Sequence, residues 1–352
     1  MGDNRPVMSF RFTKHAFVVP GRALAACLAL GLSGASTGCV TQTLADAGLS
    51  AAYKAMRSTN TLQDYEIGRS VIEANIGQIE GFHSLSPNNL TGLLMLTKGW
   101  TAIGLAFLED DYEEAYQAGN GELAEYQLRR ERAAFARARY FGIEALGHHA
   151  DGFEAARRNA SSIHEWAREN FDSRDDAPIL LWTGVAWIAH AASVARDDPA
   201  AVGELYVGVE LLQRSVELDP GLDFAMGETV LGAYHARSAL AELGESKTHF
   251  DRALSLNHGK FLTTKLFLAQ RYYCLRGDRA MYERILREVL SEPDSLPEAR
   301  LQNAVAKRVA YRYLGNEIWQ EECGFGGAGG GAQDTATAPD ASNASTSAAS
   351  KP

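Results

Sequence analysis

From Asp64 onward apolar residues recur three and four positions apart in nearly every window, and runs that alternate apolar with polar are scarce. That period belongs to helices that bury one face, so the sequence predicts an all-α chain. Helices are expected over 62–80, 89–108, 122–147, 151–170, 177–195, 200–217, 223–240, 246–256, 260–275, 278–291 and 297–320. Pro87, Pro178, Pro199, Pro220, Pro293 and Pro297 sit at their edges, where a missing N–H costs least. After Cys323 the pattern stops. Residues 323–352 are rich in Gly, Ala, Ser and Thr, cannot bury enough apolar surface to fold, and are expected to form a disordered tail.

The helices repeat a plan. "LLQRSVELDP" (Leu211 to Pro220), "HFDRALSLNH" (His249 to His258) and "YERILREVLSEP" (Tyr282 to Pro293) each place a large apolar residue three before a closely packed position, with a turn five later. Those positions, Ser215, Ala253 and Glu288, advance by 38 and then 35 residues. Such steps are close to the ~34 residues of a tetratricopeptide repeat, a helix pair that stacks on its neighbours. The preceding helices carry a matching motif of apolar, small, then aromatic residue: Leu268, Ala269 and Tyr272; Leu231, Gly232 and His235; Ile103, Gly104 and Phe107. The small residue lets two helices approach. In "LAQRYYCLRGD" (Leu268 to Asp278), Gly277 then ends one helix and Asp278 caps the next, which explains the Arg-Gly-Asp better than an adhesion motif does. The expected architecture is an irregular tetratricopeptide-like helical-hairpin array, an α-solenoid with a concave cleft, over residues 62–322.

Charge separates the beginning from the rest. Residues 1–38 carry Arg5, Arg11, Lys14 and Arg22 against Asp3, so of the total charge of −10 the remaining chain holds −13. An acidic body repels phosphate backbones and argues against nucleic acid as a partner. Basic residues before the apolar "ALAACLALGLSGA" make 1–38 a signal peptide, the stretch being too short to span a bilayer. "STGC" then sets small residues before Cys39, as a bacterial lipobox does, although Ser36 stands where Leu is usual. Cys39 is the expected lipidation site, followed by a lipid-anchored linker over 39–61. The competing reading is ordinary cleavage near Ala35. Cys274 and Cys323 remain; a disulfide between them is open, but unpaired, partly buried thiols are the favoured expectation.

Little in the sequence assembles into chemistry. His148 and His149 are adjacent and diverge on a helix, and no H-E-x-x-H, P-loop or complete G-x-S-x-G occurs. Gly324, Gly326 and Gly329 match G-x-G-x-x-G without the strand and helix that give it meaning. Asp110, Asp111, Glu113 and Glu114 lack calcium-loop spacing and are expected in a solvated inter-helix loop. No catalytic residue, metal site or cofactor is expected, and the chain is read as a non-enzyme.

The succession "RARYFGIEAL", "LLQRSVELDP", "VLGAYHARSA", "HFDRALSL", "GKFLTTKLFLAQRYY" and "RLQNAVAKRVAYRYL" resembles the TatT component of TRAP transporters, over roughly residues 62–320. The resemblance implies a lipoprotein on the periplasmic side of the envelope, at the outer membrane. Its implied partners are a periplasmic TRAP solute-binding protein (TatP-like) and a small hydrophobic or carboxylated ligand in a cleft or pore. A homo-oligomer is left open. The sequence departs from the family in "FAMGET" (Phe224 to Thr229), where a glycine pair followed by Ala-His is more usual.

Aromatic-rich first helices suit a wet groove, since Trp and Tyr join large area to a polar edge. Trp182, Trp187, Tyr234 and Tyr273 are the aromatic candidates for the cleft, with Arg237 and Arg271 as carboxylate partners. Trp182 and Trp187 stand about 140° apart around one helix and cannot share a narrow face. Trp187, which follows Gly184 at the small-x-x-aromatic spacing, is the one expected in the core. The alternative function is a general envelope scaffold whose groove takes a peptide or protein.

Overall fold

The computed structural model describes residues 37–237 and 242–325, and all their regular structure is helical. The signal peptide, the lipidated side chain expected at Cys39 and Gly326 and Gly329 of the glycine triplet lie outside the described residues, as does most of the tail. The helices are α1 (Thr37–Asn60), α2 (Tyr65–Leu85), α3 (Leu90–Ile103), α4 (Glu109–Gln117), α5 (Gly121–His149), α6 (Phe153–Ala156), α7 (Ala160–Asn170) and α8 (Ala177–Val194). There follow α9 (Pro199–Gly203), α10 (Leu205–Leu218), α11 (Leu222–His235), α12 (Leu243–Leu256), α13 (Leu262–Phe267), α14 (Arg279–Ser291), α15 (Arg300–Gly315) and α16 (Glu317–Glu322).

Asx caps fix many of the starts. Asp64, Asn89, Asn120, Asn159 and Asp278 each accept a backbone N–H from the first turn that follows, satisfying a donor the helix itself cannot. Gly277 takes φ +68° to leave the preceding helix, as the Arg-Gly-Asp turn requires.

Helices near in sequence pair and stack: α1 on α2, α3 on α5, α8 on α10, α11 on α12 and α14 on α15. The small positions of the motif are where backbones close up. At Gly184 and Gly208 an added Cβ would come within 2.8 and 2.9 Å of the other residue's carbonyl oxygen. At Gly232 it would meet the Phe250 ring at 3.0 Å, and at Gly104 it would collide with Phe135. Ala269 is fully buried. Two helices, Leu90–Gln117 and Arg174–Val194, are apolar and long enough to cross a membrane by composition; within the array they lie against α5 and α10.

The array closes on itself. α15 packs against α1 and α2, so the last long helix returns to the first pair. α1 itself is a correction to the expected linker over 39–61: Ala45 and Leu49 are buried, and the Phe82 ring lies over Gly48. The helices expected over 151–170 and 200–217 are each broken into two, at Arg157–Asn159 and Glu204.

The cysteines correct a second expectation. Cys274 and Cys323 are joined in a disulfide, with Cα atoms 4.8 Å apart, that ties the end of α16 to the helix continuing from α13. It also fixes the first residues of the expected tail, where Phe325 sets its ring edge on Tyr282 at 5.2 Å.

Candidate functional site

The closed array surrounds a cavity of about 220 Å³ walled by α1, α2, α3, α4, α8, α11, α13 and α15. Its wall is mainly apolar, with Ile76, Met95, Phe107, Phe261, Leu266 and Val305 among its lining. Two π-helical segments contribute to it, Gly104–Leu108 between α3 and α4 and Leu268–Tyr273 after α13. Each coincides with a copy of the small-x-x-aromatic motif. A wide turn inside a helix rotates the following side chains, and such turns recur at binding sites. Here the first carries Glu109 and Asp110 onto the cavity wall, and the second carries Gln270 and Arg271.

One polar region is built on Asp223. Its carboxylate accepts from the Lys98 Nζ and the Trp182 Nε1, both at 2.7 Å, while Lys98 sits 4.7 Å from the Trp182 ring centre. Asp223, Phe224 and Ala225 all adopt left-handed backbone, with φ of 45°, 63° and 63°. That conformation costs roughly 1–2 kcal/mol per non-glycine residue. The ion pair at Asp223, the stack of Phe224 on Phe261 at 5.1 Å and the Asn257 amide donating to the Phe224 carbonyl oppose this strain. The departure at "FAMGET" thus falls on the cavity wall, in a turn that glycine would form without strain.

A second polar region corrects the expected solvated loop. Asp110, Asp111, Glu113 and Glu114 lie on α4, and Asp110 and Glu113 are buried. Arg308 and Arg312, one turn apart on α15, close on them: Arg308 pairs with Asp110 and Glu114, and Arg312 with Asp110 and Glu113. Tyr65 donates to Asp110 at 3.0 Å, Tyr313 to Glu113 at 2.6 Å, and Arg69 grips Asp111 with two bonds of 2.7 Å. Loop composition misled because the charges are neutralised from a helix some 200 positions away. The i, i+4 arginines and the i, i+3 acids were the available signal.

Glu109 differs from its neighbours. It makes no hydrogen bond or ion pair with another described residue, and it lines the cavity. Desolvation, reinforced by the charges of Glu113 and Asp110 and opposed by Arg271 and Arg312, pushes its carboxyl up to about 7. Arg271 faces the same space, exposed at its edge and likewise without an ion pair among the described residues.

Of the six cleft candidates, the cavity brings together Trp182 and Arg271. Trp187 is 1% exposed in the core, its Nε1 donating to the Glu204 carbonyl at 3.1 Å. Tyr273 packs edge-on against Tyr272 in a separate core. Tyr234 and Arg237 stack on each other at 3.9 Å at the end of α11, away from the cavity wall. The first helices are here as expected, but closure of the array narrows the cleft to a cavity that these four do not reach. Lys98, Glu109, Asp223 and Arg312 were missed: Lys98 and Asp223 are lone charges that look like surface residues, and Glu109 and Arg312 sit in charged helices whose buried face shows only once the helices are brought together.

Among the described residues the helical hairpins form an all-α, solenoid-like array around a mainly apolar cavity with two charged regions. The sequence profile of the TRAP transporter T-component family matches residues 61–318, and the chain belongs to that family. No curated protein matches it. Membership associates the chain with a TRAP transport system in an accessory role.

Proposed function

We propose that the protein is a non-enzymatic, lipid-anchored accessory of a TRAP-type tripartite transport system that holds a small hydrophobic or carboxylated ligand and relays it with a periplasmic solute-binding protein. The cavity carries this reading. A dry cavity of about 150 Å³ takes up benzene, and the 220 Å³ here is larger and bordered by charged side chains. A mainly apolar cavity of that size suits a small molecule better than an extended peptide, which favours this reading over the general scaffold. The basic and apolar leader before Cys39 supports export and attachment on the periplasmic side, at the outer membrane.

The test is purification of the native protein with what it carries. Mass spectrometry of the extracted small molecules should find an amphipathic or apolar compound, and the solute-binding protein should co-purify. Empty preparations that also fail to bind the solute-binding protein would remove the reading.

A further inference from the structure

Glu109, which directly follows the first π segment, and Arg271, within the second, line one cavity and make no hydrogen bond or ion pair with each other. The other acids among the described lining residues are committed: Asp110 and Glu113 are held by Arg308, Arg312, Tyr65 and Tyr313, and Asp223 by Lys98 and Trp182. The wall therefore offers one uncommitted cation and one uncommitted carboxyl across an open gap. A buried carboxyl and an unpaired guanidinium on one cavity wall are an arrangement that an anionic group between them would complete.

We propose that Glu109 and Arg271 form the head-group site for a ligand with an apolar body and a single anionic head, Arg271 pairing with the anion and Glu109, in its protonated form, donating a hydrogen bond to it. This rests on the cavity reading above and adds which residues take the head and in what charge state. A carboxyl kept neutral by an apolar site is a strong donor to an oxyanion, whereas the same group ionised repels one. The groups facing Glu109 are Asp110 and Glu113 on its own helix, Glu131 on α5, Arg271 after α13, and Arg312 and Tyr313 on α15. The raised Glu109 carboxyl fits the donor role at neutral pH. No covalent step is involved; where free Glu109 is ionised, binding takes up one proton.

Titration calorimetry of the purified full chain with octanoate and with octan-1-ol tests this. Octanoate should bind up to about a hundredfold more weakly at about pH 9 than at about pH 6, and octanol equally at both. At the higher pH, octanoate binding in buffers of different ionisation enthalpy should show proton uptake by the wild-type chain. Glu109→Gln should abolish the uptake and flatten the pH dependence, Arg271→Gln should weaken octanoate but not octanol, and Glu131→Gln should leave the uptake in place. Octanol binding with octanoate unlinked to pH and taking up no proton overturns the head-group site alone. Failure of both probes to bind overturns the cavity reading with it. The wild-type measurements decide the matter even where a variant does not fold.

Discussion

Glu131 is 7% exposed on α5, where burial pushes its carboxyl up to about 8, with Glu109 and Glu113 adding repulsion. Its carboxyl is protonated longer in the folded chain than in the unfolded one, so stability is greatest below the unfolded value near 4.5 and falls as pH rises toward about 8. Glu131→Gln removes this loss. The variant should gain about 1–3 kcal/mol over wild type at about pH 9 and nothing at about pH 5, read from urea unfolding at both. The two tryptophans of α8 separate packing from binding in the same manner. Trp187→Ala should cost roughly 3–5 kcal/mol of stability because a fully buried ring leaves a cavity. Trp182→Ala removes a ring that faces space and that donates to Asp223. Its signature is a loss of more than about 1 kcal/mol in ligand or solute-binding-protein affinity, with a smaller drop in melting temperature than Trp187→Ala. Equal destabilisation by the two, with no selective loss of binding, would withdraw Trp182 from the site.

Helix positions were legible because a 3.6-residue period is local, and caps such as Asp278 and the turn at Gly277 are too. The motif at Ala269 also survives into the structure, where a fully buried methyl faces the neighbouring helices. Ala269→Leu should overpack that contact at a cost of roughly 1–3 kcal/mol, and an unchanged melting temperature would refute the pairing. What was not legible depends on widely separated partners. The π turns at Gly104–Leu108 and Leu268–Tyr273 have the composition of ordinary helix, and the left-handed turn at Asp223 has none of the glycines that mark one. α1 escaped notice because its apolar face is narrow: among its residues from Val40 onward only Ala45 and Leu49 are fully buried, against helices that a linear reading does not bring to it. Trp182 and Arg271 were legible as candidates by composition, but Glu109 becomes distinctive only once Asp110, Asp111, Glu113 and Glu114 beside it are seen to be paired.

Closure of the whole array depends on two attachments of its C-terminal portion. The disulfide joins Cys323 to Cys274 across 49 residues, and the arginines of α15 clasp the acids of α4. By loop length, removing the disulfide with Cys274→Ser and Cys323→Ser should cost about 2–4 kcal/mol, seen as a lower melting temperature that reductant no longer affects. The clasp differs in kind, since it sits in the cavity wall and its charges are desolvated. Arg312→Met would leave buried Glu113 with Tyr313 alone and Asp110 with Arg308 and Tyr65, and breaking one side of a buried pair typically costs about 3–5 kcal/mol, whereas neutralising both sides costs far less. Adding Asp110→Asn and Glu113→Gln to Arg312→Met should therefore recover at least half of the lost stability in urea unfolding. Absence of recovery would mean that the α4 and α15 contact is held by packing, with the ion pairs incidental. Recovery would identify the buried charges as the element that specifies which helix closes the ring.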